Sequence, residues 1–156
     1  MYPELANQEV RTSGVVCEVL QGLGLKVQRG IAGTGVVGLL EGGSKGRTVA
    51  LRADMDALPI QDKKDVPYSS RVEGKMHACG HDAHTAMLLG AAMVLADIRD
   101  RINGTVKFIF QPAEESIGGA ARMIEEGVLN NPDVDAIFGL HVSPELDVGT
   151  VGIRYG

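Results

Sequence analysis

Tryptophan is absent, aromatic residues make up only 4% of the chain, and there are two cysteines, Cys17 and Cys79. Two cysteines cannot staple a fold of this length, which excludes a disulfide scaffold. The scarcity of aromatics argues against a base-stacking platform. There is no run of Lys and Arg and the net charge is -5, so phosphate-backbone recognition lacks its electrostatic footprint and no nucleic-acid partner is expected. Long apolar runs are missing as well. The longest, residues 86–96, has 11 residues, and a membrane span needs about 20. Residues 1–6 have neither the basic nor the apolar region of a secretory signal. The expectation is a protein without a membrane partner, cytoplasmic by default.

What is present is a globular composition, 44% hydrophobic and 22% charged over 156 residues, near the size of one domain at roughly 100–200 residues each. Glycine is in excess, 21 residues scattered through apolar text, as tight turns would require. Periodicity predicts helices over residues 3–23, 80–101 and 118–129 and strands over 25–31, 35–41, 48–53, 105–110, 135–140 and 148–154. Residues 42–46 form a turn cluster and 57–78 a long irregular stretch, of a length that usually carries function. The helix over 80–101 is apolar nearly all round and is expected to be buried. Strands alternate with helices after residue 48, which predicts an α/β sheet with parallel pairs.

Three of these strands run into polar, metal-competent residues: Asp54 and Asp56 after TVALRA, Glu114 and Glu115 after VKFIF, His141 after DAIFGL. Ligands of open α/β sheets bind outside the carboxyl ends of the strands, so these distant residues are expected to converge on one edge. A fourth group, His77, Cys79, His81, Asp82 and His84, occupies eight residues where the loop enters the apolar helix. His81 and His84 share a helix face. A helix N-terminus lowers a thiol pKa, so Cys79 is expected to be a ready thiolate. A donor set of Cys, His and Glu suits zinc, and also manganese, cobalt or nickel. Each residue alone could be structural: a satisfied helix start, acidic residues complementing a helix dipole, an Asx turn at Asp54–Asp56. The set together, aimed at one edge, favours a metal centre. Adjacent Glu114 and Glu115 point in opposite directions in an extended or turn segment, so one could ligate metal while the other serves as a general base. Gly33-Thr34-Gly35-Val36-Val37-Gly38 matches G-x-G-x-x-G, but no helix follows it, and a hairpin is the better reading. Cys17 lies on the apolar side of the first helix and reads as core.

With LRADMDALPI, MHACGHDAHTAMLLGAA, FIFQPAEES, MIEEGVL and FGLHV in view, the chain resembles the N-terminal part of the metal-dependent amidohydrolases that cleave N-acyl amino acids. That family includes hippurate hydrolase, indole-acetyl-amino-acid hydrolases, N-acetyldiaminopimelate deacetylase and related aminoacylases and carboxypeptidases. The resemblance implies a three-layer, aminopeptidase-like α/β catalytic domain. It implies two divalent metals per complete site, Mn2+ or Zn2+ with Co2+ or Ni2+ possible. Cys79, His81, Glu115 and His141 match the ligands, Cys79 as the bridging one. Glu114 matches the general base and Asp56 the acid that orients a ligand beside the metals, with Asp54 nearby. The family continues into an inserted lid domain, through which a complete enzyme would form a homodimer, and returns with a further ligating histidine. No histidine follows His141 here. Residues 1–156 are therefore expected to be the first portion of a catalytic domain cut before the lid, weakly active or inactive alone. Two other readings compete: a non-catalytic metal-binding fragment, and a cysteine hydrolase with Cys79 as nucleophile and His141 as base.

Overall fold

The computed structural model describes residues 1–116 and 118–153. Its centre is a five-stranded sheet in the order β1-β2-β4-β3-β5, formed by β1 (Lys26–Ile31), β2 (Gly35–Glu41), β3 (Ser44–Asp54), β4 (Asn103–Gln111) and β5 (Ala136–Gly139). The hairpin β1-β2 and the pair β2-β4 are antiparallel, whereas β4, β3 and β5 run parallel. The G-x-G-x-x-G segment is the hairpin turn and the start of β2, as its β-branched text predicts.

Period-two alternation sends successive side chains to opposite faces and divides the core in two. On one face, Val36, Leu40, Ala53, Phe108 and Phe110 pack under α1 (Val10–Gly22) and α2 (His81–Asp97), meeting Val16, Leu20, Leu88 and Ala92. On the other, Val37, Ala50 and Ile109 pack against Met123 of α3 (Gly119–Glu125) and Val128. Helix, sheet and helix make the three expected layers. Burying each such side chain contributes about 1.5–3 kcal/mol. Lys107 also lies on the α3 face, fully buried, and its Nζ donates to the carbonyls of Val128, Asn130 and Pro132 at 2.9–3.0 Å, so a charge in the core is compensated.

The structure corrects five expectations about the elements. The first helix begins at Val10 and not at residue 3. Glu4, well outside it, accepts the N–H groups of Arg11 and Thr12 at 2.9 and 2.8 Å and so caps the helix from a distance. At its other end Leu25 N–H reaches Leu20 O and Gly24 N–H reaches Gln21 O, closing the last turn. The second helix ends at Asp97, followed by a 3-10 turn at Arg99–Arg101. It is not buried all round: Met87, Met93 and Val94 are exposed, because no described element covers that side. The third helix is one short stretch, Gly119–Glu125, followed by turns. The last strand is absent from residues 148–153, which have no pairing partner; Arg154 lies outside the described residues.

Candidate metal centre

The parallel strands deliver their ends to one edge. Asp54 at the end of β3 is level with Gln111 at the end of β4, and Arg52 is level with Gly139 at the end of β5. Asp56, Glu114, Glu115 and His141 follow those ends, and α2 starts against them with His81. The edge is therefore the meeting point that the strand-end pattern predicts.

His81 is the hub. Its ring is 1% exposed. Nδ1 lies 3.3 Å from Asp56 Oδ1, and Nε2 lies 3.6 Å from Asp54 Oδ2, 3.7 Å from Glu115 Oε1 and 3.9 Å from Glu114 Oε2. Neither ring nitrogen makes a well-formed hydrogen bond. A buried polar atom left in that state costs about 1–3 kcal/mol, so it calls for a ligand. Three donor groups form here, Cys79–His81–His141, His81–Glu114–Glu115 and Asp54–His81–His84, and His81 is common to all. Four carboxylates around one imidazole concentrate negative charge where a cation would relieve it. Burial by itself would lower the His81 pKa, but the neighbouring Asp56 and Asp54 outweigh it and raise it. For Asp56, burial is likewise outweighed, by His81 and by backbone N–H donors, and its pKa falls.

Asp56 organises more than His81. It is fully buried, and its two oxygens accept the backbone N–H groups of Glu114 (3.0 Å) and Glu115 (3.1 Å). The glutamate doublet thus hangs on Asp56 by its main chain, leaving both side chains free. Those side chains differ: Glu114 is 40% exposed and Glu115 24%.

Cys79 Sγ and His141 Nε2 are 3.3 Å apart. His141 Nδ1 is 2.6 Å from the Val142 carbonyl. A carbonyl can only accept, so Nδ1 carries the proton and, in the neutral ring, Nε2 presents its lone pair to the site. The expected thiolate is not what this environment favours. Burial, then Glu115, Glu114 and Asp54, push the Cys79 thiol up to about 11. The helix-terminus argument counted only local dipoles, whereas the carboxylates come from distant strands. A bound cation would reverse that balance, since a coordinating thiol is deprotonated by the metal.

Asp54 and His84, which form one of these groups with His81, also hold partners of their own. Asp54 accepts from Arg52 (2.7 Å) at Oδ2 and lies 2.6 Å from His84 Nδ1 at Oδ1. His84 Nε2 accepts the Val142 N–H at 3.0 Å. Two positioning residues escaped the sequence reading. Glu9, fully buried, accepts the Thr34 hydroxyl (2.6 Å) and the N–H of Ala113 (2.9 Å), whose φ of 51° is left-handed. It holds the turn directly before Glu114. Its only signal is an acidic residue at the threshold of an apolar helix. Gly80, at φ 86°, opens α2 against Val142 with no room for a side chain.

Cysteine, imidazole and carboxylate side chains that could hold a metal ion thus gather at the carboxyl edge of an α/β sheet. The model of peptidase family M20/M25/M40 matches residues 50–156, and the chain belongs to that family. It is 50% identical to thermostable carboxypeptidase 1 of Saccharolobus solfataricus, over 99% of this chain and 40% of that protein. It is 46% identical to the N-acetyl-L-cysteine deacetylase of Bacillus subtilis, over 99% of this chain and 37% of that protein. The crystal structure of the YXEP protein of Bacillus subtilis, a dinuclear metal binding peptidase from the M20 family, superposes with a TM-score of 0.94 at 47% identity, covering 99% of this chain and 43% of that one. The chain thus spans about two fifths of the length of its relatives. Among the described residues no helix is long and apolar enough to cross a membrane.

Proposed function

We propose that this chain carries the metal-binding part of a hydrolase that cleaves the amide bond of N-acyl amino acids, and that residues 1–156 are the first portion of its catalytic domain. Cys79, His81, Glu115 and His141 would hold divalent ions, zinc or manganese, with cobalt or nickel also accommodated by this donor set. The observation that carries the reading is His81, buried with both nitrogens unpaired, ringed by carboxylates and grouped with the Cys79–His141 pair. Bound divalent ions would acidify water towards a pKa of ~7 and polarise the scissile carbonyl.

The chain's own residues do the rest. Glu114, the more exposed of the two glutamates, takes the proton from the attacking water and returns it to the leaving amine, while the more shielded Glu115 would be the one to hold a metal ion. Asp56 holds His81 from the Nδ1 side and keeps both glutamates in register through their backbone N–H groups. The names of the relatives, a carboxypeptidase and a deacetylase of N-acetyl-L-cysteine, share hydrolysis of an amide at an amino acid, which supports this substrate class. A cysteine hydrolase is the weaker reading. A thiol pushed up to about 11 is almost wholly protonated at pH 7, and the glutamate doublet has no task in that chemistry.

The test is metal content by mass spectrometry after loading with zinc or manganese and gel filtration. Wild type and Glu114→Gln should retain metal, and His81→Ala and Cys79→Ser should lose most of it. Hydrolysis of N-acetyl amino acids, measured on a chain extended to the length of its relatives, should fall about 10²–10⁴-fold in Glu114→Gln. Loss of metal from Glu114→Gln would move that residue from base to ligand. A wild-type chain that binds no divalent ion would overturn the reading.

A further inference from the structure

We propose that His84 is a positioning residue for His141: it clamps the backbone of Val142, and Val142 in turn aims the His141 ring at the metal site. The proposal rests on the reading of His141 as a metal ligand.

His84 lies in the first turn of α2, 2% exposed, with both ring nitrogens in use. The Val142 N–H donates to Nε2 at 3.0 Å, so Nε2 carries the lone pair and the proton of the neutral ring sits on Nδ1. That proton faces Asp54 Oδ1 at 2.6 Å. Asp54 is itself immobilised. Its other oxygen accepts from Arg52 at 2.7 Å, its backbone carbonyl accepts the Thr85 hydroxyl at 2.9 Å, and Arg52 also binds Gln111 Oε1 at 2.8 Å. Tautomer and ring orientation are therefore set from β3 and β4, inside the core.

The other end of the clamp has no such support. From residue 141 to 153 the described chain has no regular structure. Among the described residues, two hydrogen bonds tie that stretch to the rest of the molecule: Val142 N–H to His84, and the Cys79–His141 contact at 3.3 Å. The second is between the candidate ligands themselves, so the first is the anchor that does not depend on them. Val142 passes the constraint on, because its carbonyl lies 2.6 Å from His141 Nδ1 and leaves Nε2 directed at Cys79. The path runs from Asp54 through His84 and Val142 to His141. Partners of this kind typically alter metal affinity by 10–100-fold when removed.

Two substitutions separate the two bonds. In His84→Asn the amide nitrogen occupies the place of Nδ1 and keeps the Asp54 bond, but the side chain is too short to reach Val142. In His84→Gln the amide oxygen reaches the place of Nε2 and keeps the Val142 bond. Cobalt(II) would be titrated into the metal-free 156-residue chain, followed by the thiolate-to-cobalt absorption of Cys79, with urea unfolding of each metal-free variant alongside. His84→Asn should bind cobalt about tenfold or more weakly than wild type, and His84→Gln within about threefold of it. A folded His84→Asn that binds like wild type, or a His84→Gln that loses as much as His84→Asn, would overturn the proposal. Should either variant not fold, long-range ¹H–¹⁵N correlation of the histidine rings in the metal-free wild type decides it. A proton on Nδ1 of His84 with an unprotonated, hydrogen-bonded Nε2 is expected, and a proton on Nε2 would refute the clamp. If wild type binds no cobalt, or His141→Ala binds as well as wild type, it is the metal-site reading that fails.

Discussion

Replacing Gly80 by alanine tests whether the entry to α2 and the His141 segment are built against each other. Gly80 sits at φ 86°, where a residue with a Cβ costs about 1–2 kcal/mol. The added Cβ would also collide with Val142 Cγ2. If Val142 could not move, the overpacking would add about 1–3 kcal/mol, giving roughly 2–5 kcal/mol in all against a global stability of about 5–15. Val142, however, belongs to a stretch that two hydrogen bonds tie to the rest of the molecule among the described residues, so it is the partner that yields. The expected outcome is then a stability loss near the conformational cost alone, about 1–2 kcal/mol, with the displacement of Val142 appearing as a cobalt affinity at least tenfold weaker. Gly74 supplies the control. It is also left-handed, at φ 69°, and an added Cβ there meets nothing within 4 Å. Gly74→Ala should show the same stability loss and unaltered metal binding. Urea unfolding of the metal-free proteins and cobalt titration measure the two quantities. A Gly80→Ala protein indistinguishable from Gly74→Ala in metal affinity would refute the argued contact.

Two further outcomes can be checked on the metal-free chain. Glu9→Ala leaves the N–H of left-handed Ala113 and the Thr34 hydroxyl without their acceptor and should cost about 2–4 kcal/mol in urea unfolding, the unpaired donor and the cavity together. Glu9→Gln retains one acceptor oxygen and should lose clearly less; equal losses would mean that volume and not hydrogen bonding is at stake. For Cys79, the folded thiol is pushed up to about 11 from an ordinary value of 9.0. The unfolded chain therefore releases this proton first, and stability should fall as pH rises from about 9 through about 11. Cys17, raised by burial, adds a slope of its own, so the comparison is with Cys79→Ala, which should show the shallower decline. Parallel curves for the two proteins would show that the site does not hold the thiol in its neutral form.

Much of this architecture is legible in the text of the strands. TVALRA, VKFIF and DAIFGL read as short apolar sheet strands, and their termination in Asp54, Glu114–Glu115 and His141 already brings these polar residues to one edge. Legibility stops where a residue is governed by something distant in sequence. The start of α1 depends on Glu4, which caps residues seven and eight positions later, and a window scan reads the intervening turn as helix. The exposure of Met87, Met93 and Val94 depends on what covers α2, which a hydrophobic pattern does not contain. Residues 148–153 have strand-like composition, but a strand needs a partner, and β5 offers them none among the described residues.

The raised pKa of the Cys79 thiol and the convergence of the candidate donors have one physical origin. A sheet brings side chains from far apart in sequence to within a few ångströms, and at that range their charges outweigh any local dipole. The same convergence fixes the donors from outside the donor set: Asp56 on the Nδ1 side of His81, Val142 on Nδ1 of His141, Asp56 again on the backbone of the glutamates, and Glu9 on the turn before them. For His141 the lone pair aimed at the site is thus set by a hydrogen bond that no cation makes, and for the glutamates the main chain is held in the same way. Binding an ion would then require little rearrangement of the chain, and its attraction for four carboxylates and a thiol would remain available for affinity. It follows that substitutions at these supports should weaken metal binding in proportion to the donor that each one holds, even where overall stability barely changes.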